Sequence, residues 1–166
     1  QNYLFDLLEK AGEKHGMKLV GARAQNWLRM EKSYRAFGTE LGRDATPAEA
    51  DLPRFIDLEK DFHGKEAMIE KGVRVKCCTL LIDGPSDADP WGREALYTEE
   101  GTRVGRLTSG GYSVAFEKSI GMGYLPPDLA VEGTKLKVKL QDKLWDATVT
   151  CDSPYDPTNA TIRQNG

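Results

Sequence analysis

The chain has 166 residues, 39% of them hydrophobic, with 23 Lys and Arg against 26 Asp and Glu for a net charge of -3. That supplies apolar residues for one well-packed domain or two small ones, and the charges alternate in sign without the basic stripe that a nucleic-acid backbone requires, which argues against such a partner. No apolar run approaches the ~18 residues of a membrane-spanning helix and no basic-then-apolar leader opens the sequence, so we expect no membrane partner.

Leu4, Leu7, Leu8 and Ala11 recur at helical spacing and Gly12 and Gly16 follow, which predicts a first helix over residues 2 to 15. The chain opens directly on this periodicity, without an initiator methionine, and we expect it to be a piece of something larger. A second helix is expected from about Ala22 to Tyr34, with Ala24, Leu28 and Glu31 on one stripe and Arg23, Trp27, Met30 and Tyr34 on the next. Glu31 and Arg35 stand at a spacing that allows pairing. The loop-rich RAFGTELGRDATPAEADLP follows, with Thr46, Pro47 and Glu49 reading as one short helical turn; RFIDLE alternates like a strand, and a third helix is expected from about Gly64 to Lys71, stopped by Gly72.

From Val73 the hydrophobic period changes from 3.6 to 2. VRVKCCTLLI, TRVGRLTSGGYS, SIGMGYL, TKLKVKL and WDATVTC read as strands, with Leu136, Val138 and Leu140 facing inward and QDK forming a hairpin. Several short strands in about 90 residues are best satisfied by a small closed or nearly closed antiparallel barrel, because an open sheet of that size leaves long edges exposed. Glycines at 105, 110, 111, 121 and 123 suit its bulges and corners.

Three cysteines are present, and Cys77 and Cys78 are strand neighbours whose side chains point to opposite faces; with Cys151 they read as reduced, small apolar residues of an intracellular protein. His15 and His63 lie among acids and lysines in separate segments and read as solvated, leaving no nucleophile with a base. TSGG at 108 to 111 lacks the following GK[ST] of a phosphate loop and reads as a barrel corner. The acidic PSDADPWG, 85 to 92, lacks the spacing and flanking helices of a calcium loop and reads as a solvated turn; no metal site is assigned.

Arg23 stands apart. A cation in the first turn of a helix opposes the helix dipole at a cost of about 0.3 to 1 kcal/mol. Either the helix start is frayed or a carboxylate from elsewhere meets it, or the cation and the free N–H groups of that turn form a receptor for a ligand carboxylate.

GARAQNWLRMEKSYRAFGTEL, followed by TPAEADLPRFIDLEKDFHGKEAM, resembles the late part of the folate-binding region in the glycine-cleavage T-protein (aminomethyltransferase) superfamily. With DPWGREALYTEEGTRVGRLTSGGYSVAFEKSIGMGYLP after it, the sequence looks most similar to the C-terminal region of the dimethylglycine and sarcosine dehydrogenases; the two blocks span about residues 21 to 126. The resemblance implies an α+β fold: the helical C-terminal part of a T-protein-like folate-binding domain, residues 1–71, followed by a small antiparallel β-barrel, residues 72–166. It implies tetrahydrofolate as cofactor, with FAD held elsewhere in the parent enzyme, and as partners folate, a small N-methyl amine substrate and the N-terminal remainder of the same enzyme. The implied location is cytoplasmic, or the mitochondrial matrix in a eukaryote.

Residue by residue, Arg23 falls on the arginine of the family's GARD motif, which contacts the glutamate tail of folate; here the motif reads GARA, with Ala24 in place of the aspartate. Arg29 and Glu31 match LRLE and are expected to brace the helix. The family's last folate-proximal contact lies near its C-terminus, where SPYDPTNATIR offers Tyr155 and Arg163. The catalytic aspartate and the glutamate that grips the pterin belong to the first part of the folate domain, so no catalytic residue is assigned here and the chain by itself is expected to be inactive. The rival readings are a stand-alone T-protein-like aminomethyltransferase or methyltransferase, and a structural module that has lost ligand binding.

Overall fold

The computed structural model of the protein describes residues 1–85 and 87–164. In chain order it contains helices α1 (Asn2–Glu13) and α2 (Ala22–Glu31), a 3-10 turn (Pro53–Phe55) and helix α3 (Lys65–Lys71). Strands β1 (Lys76–Ile82), β2 (Ala95–Tyr97), β3 (Arg103–Ser113), β4 (Lys118–Leu125), β5 (Lys135–Leu140) and β6 (Lys143–Thr150) follow, with a short helix α4 (Ala160–Arg163) at the end. Among the described residues no helix is long and apolar enough to cross a membrane.

The change of period at Val73 marks a real boundary between helix and sheet. The six strands close into a barrel in the order β1-β4-β3-β2-β5-β6, every pair antiparallel. Closure leaves the strands no free edge. β5 shows why it forms: Leu136, Val138 and Leu140 are buried while the lysines between them are not, and the two-residue turn at Gln141 and Asp142, both at positive φ, feeds directly into β6. The interior is filled by Leu80, Ile82, Leu96, Leu107, Val138 and Val149 among others. Cys77 and Cys78 do face opposite ways: Cys78 joins that interior, while Cys77 lies outside the wall with Ile120, Met122 and Met30 of α2. All three cysteines are free thiols, and burial raises the pKa of Cys77 and Cys78 to about 12.

Several expectations are corrected. α2 stops at Glu31 rather than Tyr34, because Ser33 turns into the left-handed region at φ 53. Arg35 is thereby swung away from Glu31 and pairs with Asp51 and Asp152 instead. RFIDLE is not a strand: Pro53 starts a 3-10 turn, and Phe55 and Leu58 remain exposed with no neighbouring strand to receive an alternating face. TSGG lies within β3 rather than at a corner, and its glycines serve close approach: a Cβ on Gly110 would come within 2.6 Å of Pro90, and one on Gly111 would overlap Trp27. The three-residue β2 forms within REALYTEE, outside the predicted strands. α1 ends at Glu13, two residues early, and none of its residues is buried.

The turn at Thr46 to Glu49 is a capping box: Thr46 Oγ1 accepts from the Glu49 N–H at 3.1 Å, and the Glu49 carboxylate accepts from the Thr46 N–H at 2.9 Å. Glu49 is fully buried and also accepts from Arg74 Nε at 2.9 Å. Burial alone would raise its pKa; the Arg74 hydrogen bond and charge and the backbone N–H groups outweigh it and set the value at about 2, against a usual 4.5. A carboxyl depressed on folding stabilises fully above its unfolded pKa, and that contribution fades as pH falls from about 4.5 through about 2. Urea unfolding of Glu49→Gln is expected to show a loss of about 1–3 kcal/mol at pH 7, with a smaller difference from the parent at pH 3.

Candidate functional site

The site is built around the start of α2. Gly21 is its N-cap, with extended backbone and no side-chain cap, and the first turn holds no acid. The first N–H groups of the helix are therefore not satisfied by a capping side chain. Arg23 enters this turn with its guanidinium near two indoles, 5.3 Å from the Trp27 ring centre and 5.2 Å from that of Trp91. Trp27 sits one helical turn along, on the same face. Trp91 comes from the barrel, in the loop between β1 and β2. Asp89 of the same loop lies 3.6 Å from Arg23 Nη2, beyond hydrogen-bond length. The carboxylate from elsewhere is thus real, yet the Arg23 side chain stays 61% exposed. Each stacked indole contributes about 0.5–1 kcal/mol at an exposed position, enough to offset the cost of a cation at the helix start.

An open cleft of about 510 Å³ adjoins the arginine, lined by Asp87, Asp89, Trp91, Glu94 and Leu140 as well as Arg23. A smaller one of about 200 Å³ lies between Trp27, Pro90, Trp91 and Gly110, again with Arg23 in its wall. Arg23 stays mostly exposed beside the two rings, and a planar carboxylate meets an arginine along an edge of its guanidinium.

The loop that brings Trp91 is anchored. The Glu94 carboxylate accepts from the N–H groups of Trp91 and Gly92, both at 2.8 Å. The Arg93 N–H donates to Leu107 O at 2.7 Å, and the Leu107 N–H to Glu94 O at 2.8 Å. Gly92 adopts φ 98 with Thr108 O 2.5 Å from where a Cβ would stand, so only glycine fits there.

The far half of α2 is bolted to the barrel through polar groups. Arg29 donates to Asn26 Oδ1 (2.9 Å), Glu40 Oε2 (2.6 Å) and Ser109 Oγ (2.6 Å). Glu40, its carboxylate fully buried, also accepts from Thr39, Thr108 and Ser109 and from the Ala36 N–H, while Tyr124 donates to its backbone carbonyl at 2.6 Å. The hydroxyls of Thr108 and Ser109 reach one carboxylate because β3 bulges there, breaking the alternation that would aim them to opposite faces. Burial acts to raise the Glu40 pKa, but the hydroxyl donors and Arg29 prevail and the carboxyl is held below its usual range. Glu31 accepts from Ser113 Oγ at 2.5 Å and from the Ala115 N–H at 3.2 Å. Arg29 and Glu31 therefore hold the helix in place and do not face the cleft.

Tyr155 and Arg163 are not brought to Arg23. The Tyr155 N–H donates to Glu31 O at 2.9 Å and Lys32 Nζ donates to Tyr155 O at 3.1 Å, at the opposite end of α2. At 1.5 Å per residue, Lys32 lies about 13 Å along the axis from Arg23. Arg163 is exposed on α4, and His15 and His63 are both exposed. Sequence reasoning missed Asp89 and Trp91, which it read as parts of a solvated turn, and Glu40, which it left in a loop. The tryptophan within an acidic turn was the one available signal.

Residues 76–156 match the family model of the glycine cleavage T-protein C-terminal barrel domain, and residues 1–60 match that of the GCVT N-terminal domain. The chain is similar to the mitochondrial dimethylglycine dehydrogenase of Rattus norvegicus, 36% identical over 172 residues that cover 98% of this chain and 20% of that protein. It is also similar to the aminomethyltransferase of Natranaerobius thermophilus, 32% identical over 152 residues, 88% of this chain and 40% of that one. Among solved structures, the glycine cleavage system aminomethyltransferase T from Bartonella henselae superposes with a TM-score of 0.81 at 28% identity, over 92% of this chain and 44% of that chain. The chain spans about a fifth of the length of the dehydrogenases it matches and about two fifths of the aminomethyltransferases.

Proposed function

Because the chain belongs to the glycine-cleavage T-protein superfamily, we propose that it forms the C-terminal part of a folate-dependent one-carbon transfer enzyme, with Arg23 as the receptor for the carboxylate tail of tetrahydrofolate. The observation that supports this reading is the guanidinium beside the Trp27 and Trp91 rings at the rim of an open cleft, on a side chain that is 61% exposed. Residues 1–71 are the end of the folate-binding domain and residues 72–166 its companion barrel. Bound tetrahydrofolate supplies the nitrogens that accept the one-carbon unit. This chain binds the tail, orients it through the indole pair and keeps α2 in register against the barrel.

The parent enzyme is a flavin-linked dimethylglycine or sarcosine dehydrogenase, supported by the 36% identity across 98% of the chain. Its FAD and the residues that handle the N-methyl amine belong outside these 166 residues, and by itself the chain is inactive. The mitochondrial matrix is its place in a eukaryote, the cytoplasm otherwise. A second reading, a T-protein-like aminomethyltransferase without a flavin half, is favoured by the aminomethyltransferase T that shares the fold. A reading frame about five times the length of this chain, with a dinucleotide fingerprint near its start, supports the dehydrogenase; one about two and a half times its length supports the transferase.

Arg23→Ala in the full-length protein is expected to weaken tetrahydrofolate binding about 10- to 100-fold, as a charge-assisted hydrogen bond is worth ~1.5–3 kcal/mol. The melting temperature should move little, since the side chain is mostly exposed. Unchanged affinity by isothermal titration would reject the assignment and favour a structural module.

A further inference from the structure

The barrel does more at this cleft than support α2. Its stretch 87–94 presents two side chains to Arg23, one aromatic and one acidic, and they act in opposite senses. The Trp91 ring centre lies 5.2 Å from the Arg23 guanidinium, which also approaches Trp27, while Trp91 itself remains 78% exposed. Its position is fixed from the backbone: its own N–H is held by the Glu94 carboxylate at 2.8 Å, and Pro90 beside it is buried against Gly110. Such a ring, held without being covered by other protein groups, reduces the rotational freedom of the arginine and leaves its edge forward. Asp89 occupies the other role. It is the one carboxylate within salt-bridge range of Arg23 among the described residues, and at 3.6 Å it neutralises without engaging in a hydrogen bond. The remaining acids of the cleft differ: Asp87 is exposed, and Glu94 is already occupied by two backbone donors.

We propose that Asp89 is an internal competitor for Arg23, a side-chain carboxylate that an incoming ligand carboxylate displaces, and that Trp91 is the positioning residue that keeps the guanidinium edge presented to that ligand. This rests on the reading of Arg23 as the tail receptor. An ion pair this long, with its arginine mostly exposed and its carboxylate 20% exposed, is weak and partly screened by salt, so it is suited to exchange: a ligand that offers two oxygens in the guanidinium plane forms the shorter, bidentate pair that Asp89 does not. The anchored base of the loop, from Pro90 to Glu94, means that Asp89 releases by a side-chain rotation, without loss of the loop fold. The selectivity that follows is for ligands whose carboxylate reaches the cleft; ligands without one gain nothing from displacing Asp89.

The test is calorimetric titration of the full-length protein with tetrahydrofolate and with tetrahydropteroate, which lacks the glutamate tail. Asp89→Asn is expected to tighten tetrahydrofolate binding by about 2- to 5-fold, the range of an exposed ion pair, with the gain shrinking as salt is raised and with tetrahydropteroate affinity unchanged. Asp89→Ser should reproduce the result and guards against a local effect of the amide. Trp91→Leu should weaken tetrahydrofolate alone. Equal or weaker tetrahydrofolate binding in both Asp89 variants, or equal gains for the two ligands, would overturn the proposal while leaving the role of Arg23 intact. If Arg23→Ala has no effect on either ligand, the underlying reading fails instead.

Discussion

Replacing Glu40 by alanine is expected to lower the stability of the protein by about 3–5 kcal/mol, the cost of breaking a buried ion pair from one side. The carboxylate is fully buried and satisfies Arg29, Thr39, Thr108, Ser109 and the Ala36 N–H at once. Its removal strands a guanidinium that is itself only 13% exposed and takes the shared acceptor from two hydroxyls of β3. In a domain of this size, thermal unfolding should register a fall of about 6 to 20 °C. The double variant Arg29→Met with Glu40→Leu should recover part of it, because an apolar pair leaves no charge unpaired while Thr39, Thr108, Ser109 and the Ala36 N–H still lose their acceptor. A single variant with an unchanged melting temperature would show that water reaches the network and shares the load.

Gly111→Ala is expected to disturb the site from a distance. A Cβ at this position would overlap the indole of Trp27, and Met30 lies just behind at 3.1 Å. Trp27 is a rigid ring with Arg23 over one face and Tyr112 at its edge, 6.5 Å between ring centres. Neither the ring nor β3 yields without shifting α2. Overpacking of this kind costs about 1–3 kcal/mol, and tetrahydrofolate affinity should fall with it, since the ring that orients Arg23 moves. Gly101→Ala is the contrast: Gly101 has open space around its missing Cβ but φ 91, so alanine there strains the backbone and should lower stability while leaving the affinity as it was.

The parts of this molecule that the sequence states plainly are those set by local periodicity. The alternation in KLKVKL has one solution, because a slip of one residue would turn three leucine and valine side chains outward. The change of period at Val73 likewise separates helix from barrel. Arg23 stood out for a different reason: a cation in a first helical turn violates a local preference, and the structure sets it beside Asp89 and two indoles. What lay beyond reach was set by partners far along the chain. RFIDLE alternates like a strand, yet no strand lies beside it. Glu40 sits among glycines and prolines with nothing near it in sequence to announce burial; its two partners in the barrel are 68 and 69 residues away, and they converge on it only through a bulge. Asp89 and Trp91 belong to a turn whose composition is that of a solvated loop, and they acquire meaning only when the barrel closes and carries them to the start of α2.

Whether Arg23 binds the carboxylate tail of tetrahydrofolate is decided by a thermodynamic cycle. Affinities of the full-length protein and of its Arg23→Ala variant are measured for tetrahydrofolate and for tetrahydropteroate. With Arg23 as the tail receptor, the substitution costs about 10- to 100-fold for the ligand with the tail and nothing for the ligand without it, a coupling of ~1.5–3 kcal/mol. Equal losses for both ligands, or none for either, would contradict it.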